Sequence, residues 1–158
     1  MLLLAVVHIF SSCSSESVES TNVSKSELVT VYNYNVSELE VLRLINEYRV
    51  SIGLNTLVTV NHISYKSEEH DNYMIANKVV NHNDFVARSE NIIAVLGAKK
   101  VGENVAYDYQ SPEGVLKAWL DSPTHKQNIE GDYTHFGIAV KIDAETGKKY
   151  YTNIFAKI

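Results

Sequence analysis

The C-terminal quarter of the chain constrains the fold more than any other stretch. "THFGIAVKI" places Phe136, Ile138, Val140 and Ile142 at every second position. "DAETGKK" follows as a Gly-containing turn, and "YYTNIFAKI" returns. Period two marks a strand with one side toward a core. Two such runs joined by a turn with glycine predict an antiparallel hairpin. A shorter strand is predicted over residues 102–107. The rest of the chain must supply the layers that cover this sheet.

Those layers read as helices. Ser37 and Glu40 have the spacing of a capping box, in which each side chain satisfies an otherwise orphaned amide. Leu39, Leu42 and Ile45 follow at three-residue steps. Gly53 suits the position just past the helix end. A second helix is predicted over about residues 62–78, with Ile63, Tyr73, Met74 and Asn77. A third, over 85–96, carries Ile92, Ile93 and Leu96 and stops at Gly97. Ser111-Pro112 and Ser122-Pro123 both read as N-cap followed by N1, since proline costs least where the amide has no partner anyway. They open a helix to about residue 120 and a shorter one holding His125. Helices on an antiparallel sheet make the fold class α+β. At 158 residues, 45% hydrophobic and 21% charged, the chain suits one domain. A net charge of -5 leaves no basic footprint, so a nucleic-acid partner is not expected.

The single cysteine, Cys13, excludes an internal disulfide. It follows "MLLLAVVHIFSS", an apolar run of signal-peptide length and too short to span a bilayer. Polar "SSESVESTNVSKSE" comes next. This resembles a bacterial lipoprotein signal, with cleavage before Cys13 and lipid on its thiol. A plain secretory signal or a buried N-terminal segment is the other reading, and no Lys or Arg precedes the apolar run. The expected organisation is a lipoprotein signal peptide over 1–12, a lipid-anchored flexible tether over 13–35 and the domain over 36–158. The expected location is the bacterial cell envelope, at the periplasmic face or outer surface, with the membrane as partner through Cys13.

Three local patterns stand out beyond these elements: "HNDFVAR" at His82, "VGENVA" at Val101 and "WLDSPTHKQNI" at Trp119. With the two strands after them, and with "LINEYRVSIGLNTL" through Asn46, Arg49, Gly53, Leu54 and Leu57, the chain resembles the CAP superfamily. That superfamily comprises the cysteine-rich secretory, antigen 5 and pathogenesis-related 1 proteins, and the likeness is to its short bacterial SCP-like branch. It covers about residues 36–158. The resemblance implies an α-β-α sandwich, a central antiparallel sheet flanked by helices. It also implies a cleft with two histidines and two acids that in some members holds a divalent metal. By motif, His82 and His125 are the histidines and Glu103 the first acid. The second acid has no match: Ser122 stands there, with Asp121 beside it.

Two neutral imidazoles can hold Zn²⁺ or another divalent cation, and a nearby carboxylate can deprotonate its water. A His-Glu pair without metal can act as acid and base. The bland readings stand beside these. His82 could favour a helix C-terminus, Glu103 could tie loops through backbone amides, and His125 could be a surface residue. Ser122 reads as a helix cap rather than a nucleophile, and no Gly-x-Ser-x-Gly elbow exists. Trp119 reads as core, His70 as solvated beside Glu68, Glu69 and Asp71, and His135 as a loop residue. The expected function is a binding module with a cleft for a small, lipid-like, cell-wall or protein ligand. The alternatives are a metal-dependent hydrolase using His82, His125 and Glu103, and a structural envelope protein without catalysis.

Overall fold

The computed structural model describes residues 27–158, so Cys13 and the expected signal peptide lie outside the described residues. The elements run α1 (Val36–Ser51), β1 (Val58–Thr59), α2 (Asn61–Asn77), α3 (Phe85–Leu96) and β2 (Lys100–Tyr107). They continue with α4 (Pro112–Asp121), α5 (Pro123–Ile129), β3 (His135–Ile142) and β4 (Lys149–Lys157). The sheet order is β1-β3-β4-β2. β3–β4 and β4–β2 are antiparallel, as predicted, while the two-residue β1, absent from the sequence reading, joins β3 in parallel.

Helices cover both sheet faces. Val41, Leu42 and Ile45 of α1, with Val115, Leu116 and Trp119 of α4 and Ile129 of α5, pack on Phe136, Ile138, Tyr151 and Phe155. On the opposite face, Ile63 of α2 and Ile92 of α3 meet Ile154 and Ala156, and Met74 meets Val105 and Tyr150. This is an α-β-α sandwich. Being covered twice, β3 buries Gly137 and Ala139 as well as Phe136 and Ile138, so period two appears in its sequence but not in its burial. Only Ile142, past the cover, is 60% exposed. Gly137 is required: a Cβ there would sit 2.4 Å from the Ser64 backbone nitrogen, where α2 crosses β3.

The start of α1 differs from expectation. Asn35, not Ser37, is the N-cap, and its box partner is Glu38. The Glu38 amide donates to Asn35 Oδ1 at 3.0 Å, and the Asn35 amide to Glu38 Oε2 at 2.8 Å. Glu38 wins because its other oxygen accepts from the Val140 amide, a buried bond on the edge of β3 that β4 does not pair. Glu40 instead pairs with Arg43 on the surface. The buried stripe is correspondingly Val41, Leu42, Ile45 and Arg49, and Leu39 is 53% exposed. On α3, Ile92 is buried but Ile93 faces out.

Both sheet edges are closed by side chains. At β3, Ser64 Oγ accepts from the Ile138 amide, next to the Glu38 contact. At β2, Asn128 donates to the Glu103 carbonyl and Trp119 Nε1 to the Val105 carbonyl, both at 3.0 Å. An open edge would recruit another strand; here it is occupied. Trp119 is thus core, as predicted, and also an edge cap. The Asn46 and Arg49 motif residues are structural: Asn46 exchanges two bonds with the Leu57 backbone. Arg49, fully buried, donates to the carbonyls of Asn55, Ile129 and Gly131.

The end of the expected tether is docked against the domain. The Val29 amide donates to His62 Nδ1, Tyr32 to Glu38 and Tyr34 to Asn61.

Candidate functional site

The edge strand β2 is the axis of the site. Period two sends Glu103, Val105 and Tyr107 toward α2 and α3, and Asn104 and Ala106 toward α4 and α5. Glu103 is therefore available to the loop between α2 and α3. Its side chain is 1% exposed and accepts from two cationic donors of Arg88, Nε to Oε2 and Nη2 to Oε1, both at 2.9 Å. Arg88 also donates Nη1 to the Asn83 carbonyl at 2.7 Å. A bidentate pair of this kind is strong and fixes orientation.

His82 lies on the open side of this pair. Its Nδ1 is 2.8 Å from Glu103 Oε1, with the imidazole 49% exposed. A carboxylate oxygen can only accept, so Nδ1 carries the proton. In neutral His82, Nε2 is then a bare lone pair on a half-exposed ring.

His125 reaches the other side of β2 from α5. Ser122 occupies the N-cap position of α5 but makes no cap bond. Its Oγ instead sits 2.9 Å from His125 Nδ1. The serine expected as a cap is an orienting group for the histidine three residues on. Asn104, buried beside Glu103, donates to the His125 carbonyl at 3.0 Å and accepts from Asn128 at 2.8 Å. Burial lowers the His125 pKa from its ordinary value, and the charge of nearby His82 lowers it further. Each ring thus has Nδ1 tied, His82 to Glu103 and His125 to Ser122.

Asp121 does not join them. It pairs with Lys117 on the α4 surface and lines a shallow depression with Tyr109 and Ser122. Where the resemblance implies a second acid, the Ser122 hydroxyl contacts His125. His70, expected in solvent, is buried, and its Nε2 is 2.8 Å from the Asn81 carbonyl. Asp71 is fully buried and accepts from Thr152. His135 begins β3 and contacts Thr134 Oγ1. Sequence reasoning missed Arg88 and Asn104. Arg88 stood inside the quoted "HNDFVAR", and a cation one turn into an apolar helix is the signal that could have raised it.

The fit of a divalent cation can be judged from the donors. Glu103 has both oxygens engaged and is screened by His82. Among the described residues no group of three or more His, Cys, Asp or Glu side chains is arranged to hold a metal. Two imidazoles fall short of the three protein ligands typical of catalytic zinc. The residues do not fit a zinc-hydrolase centre.

The sequence pattern of the family described as the cysteine-rich secretory protein family, CAP, matches residues 42–155. The Bacillus subtilis membrane protein YlbC is 37% identical over 60 residues, 37% of this chain and 16% of that protein. An outer surface protein of Borrelia burgdorferi has the same fold with a TM-score of 0.67 at 21% identity, over 73% of this chain and 88% of that one. An extracellular SCP-domain protein of Bacillus anthracis gives 0.68 at 22%, over 77% of this chain and 40% of the other. The match thus spans a small part of YlbC and less than half of the B. anthracis protein. With the family pattern running from inside α1 to near the end of β4, over a sandwich of the same build, the chain belongs to the cysteine-rich secretory protein family, CAP.

Proposed function

We propose that the protein is an extracytoplasmic binding module, held at the cell envelope through Cys13, that recognises its ligand with His82 and His125. One observation carries this reading. Two imidazoles on opposite sides of β2 each have Nδ1 tied to a protein group, and neither Nε2 has a hydrogen-bond partner among the described residues. Orientation fixed before binding lowers the ordering cost. The bare Nε2 of His82 accepts, so it selects a donor: a hydroxyl or ammonium of a small, lipid-like, cell-wall or protein ligand. A divalent cation on that Nε2 would be held by one protein nitrogen and otherwise by water or the bound molecule, unlike the three protein ligands of a zinc hydrolase. The envelope location accords with the outer-surface and extracellular descriptions of the two structural neighbours.

A hydrolase using Glu103 as base is less well supported. The Glu103 carboxylate is occupied by Arg88 and His82 and shielded from solvent. It serves to orient His82 rather than to face a substrate.

The test is an NMR titration of ¹⁵N-histidine-labelled protein with a soluble muropeptide, a lysophospholipid below its micellar concentration, and Zn²⁺. At least one of the three should move the His82 and His125 ring signals together, and the His82→Ala/His125→Ala double variant should weaken it at least tenfold. Binding that leaves both rings unmoved, or no binding by any probe, favours the structural envelope reading.

A further inference from the structure

The loop before α3 is short and heavily tied. Lys78 and Asp84 adopt positive φ, 53° and 59°, conformations a side chain seldom takes without support. Asn81 Oδ1 accepts from the Asn83 amide at 3.0 Å, and Asn83 Nδ2 donates to Tyr73 Oη at 2.9 Å. Arg88 holds the Asn83 carbonyl, and the Phe85 amide donates to the His82 carbonyl at 3.1 Å. One contact comes from beneath. The His70 ring, 1% exposed on α2, lies 2.8 Å through Nε2 from the Asn81 carbonyl.

That carbonyl belongs to the peptide unit whose other end is the His82 nitrogen. Peptide units are planar, so fixing one end fixes the plane. With Asn81 O held by His70 and His82 O held by Phe85, the two peptide units around His82 are both anchored. The direction of its side chain toward Glu103 follows. A carbonyl accepts only, so His70 carries its proton on Nε2, leaving Nδ1 as a buried atom with no partner. Burial lowers the His70 pKa, while the Glu103 charge and the Asn81 bond raise it and Arg88 and His82 oppose them. Burial favours the neutral ring, which still donates Nε2–H to the carbonyl.

We propose that His70 is a positioning residue: by donating Nε2–H to the Asn81 carbonyl it holds His82 in the Nδ1–H tautomer against Glu103, with Nε2 left bare. The stacked Tyr73 ring, 5.8 Å away at 12°, keeps the His70 plane in register with the loop. The inference rests on His82 as a recognition residue, yet its test reads ring tautomer alone. A failure of ligand binding would leave it standing.

The tautomer is read from two-bond ¹H–¹⁵N correlations of the His82 ring at a pH where the ring is neutral. Wild type should show a protonated Nδ1 and a bare Nε2. His70→Leu, which removes the donor, should show the mixed pattern of a free imidazole. His70→Gln, whose amide nitrogen replaces Nε2, should restore the wild-type pattern. A merely structural role would lower stability in both variants without moving the signal in one only. Should His70→Leu not fold, His70→Asn serves in its place, because its shorter amide cannot reach the carbonyl. A wild-type His82 pattern in the donor-less variant, or identical patterns in the Gln and donor-less variants, overturns the proposal.

Discussion

The Arg88–Glu103 pair gives the sharpest quantitative test of the site's construction. Replacing Glu103 by Met leaves a guanidinium 9% exposed with no carboxylate. Replacing Arg88 by Met leaves a carboxylate 1% exposed whose remaining side-chain donor is His82. Stranding one member of a buried pair costs about 3–5 kcal/mol. The Glu103 variant should fall at the upper end and the Arg88 variant at the lower, because His82 still donates to the stranded acid. Against a domain stability of about 5–15 kcal/mol, either loss is large. The double variant is different. It removes both desolvation costs and leaves unpartnered only His82 Nδ1 and the Asn83 carbonyl, on residues that solvent reaches. A buried pair exchanged whole for apolar side chains is often near neutral, so the double variant should lie within about 1–2 kcal/mol of wild type. Urea unfolding at pH 7, followed by Trp119 fluorescence, gives all four stabilities, with equal slopes confirming a common unfolding transition. If the two single losses add in the double variant, the groups do not stabilise one another and the reasoning is refuted.

Two other outcomes follow from particular residues. Asp71 is fully buried, and desolvation raises its pKa well above the ordinary value, with the charges of Glu38 and Glu103 adding to the rise and the Thr152 bond opposing it. The folded carboxyl therefore keeps its proton after the unfolded chain has released it, so stability falls as pH rises from the ordinary carboxyl range toward the folded value. Asp71→Asn removes that loss at about 1.4 kcal/mol per pH unit of displacement. It should be more stable than wild type at pH 7, with the advantage disappearing near pH 3 in thermal melts; an advantage equal at both pH values would disprove the assignment. Cys13→Ser should release the protein from the membrane fraction to the soluble fraction of the expressing bacterium, and a variant that stays in the membrane fraction would end the anchoring proposal.

Much of the architecture was legible because its signals are local. The bounds of α3 are those expected, and Pro112 and Pro123 open α4 and α5 because N1 has no amide bond to lose. The start of α1 was not legible for an instructive reason. Asn35 with Glu38 and Ser37 with Glu40 satisfy the same spacing rule, and a partner at Val140 chooses between them. His70 failed similarly. Its acidic neighbours suggest a solvated face, but a 17-residue helix laid across β3 and β4 buries whatever points inward, and Asn81 supplies the acceptor that makes burial of the ring tolerable. Within the candidate site, the sequence named residues but not their partners. His82 and Glu103 meet, and His125 approaches β2 from α5; the one sign of Arg88 was a cation inside an apolar helix, and Ser122, noted at the second-acid position, was read as a cap rather than as the partner of His125.

That division changes how loss of function at this site must be read. Glu103 lies beneath His82, joined to Arg88, and its neighbour Asn104 holds the His125 carbonyl. The residues that orient the two imidazoles also stabilise the packing of α3 and α5 on β2. A Glu103 variant that loses ligand therefore says little about whether Glu103 meets that ligand, since it unseats His82 and weakens the domain together. The outer ties are separable. Ser122 orients His125 from a half-exposed position without holding the core, and the exposed edge of His82 faces solvent. A change there alters the direction or availability of one Nε2 while leaving the Arg88–Glu103 pair intact. The proposed recognition is thus best dissected from the rim inward, with stability measured at each step.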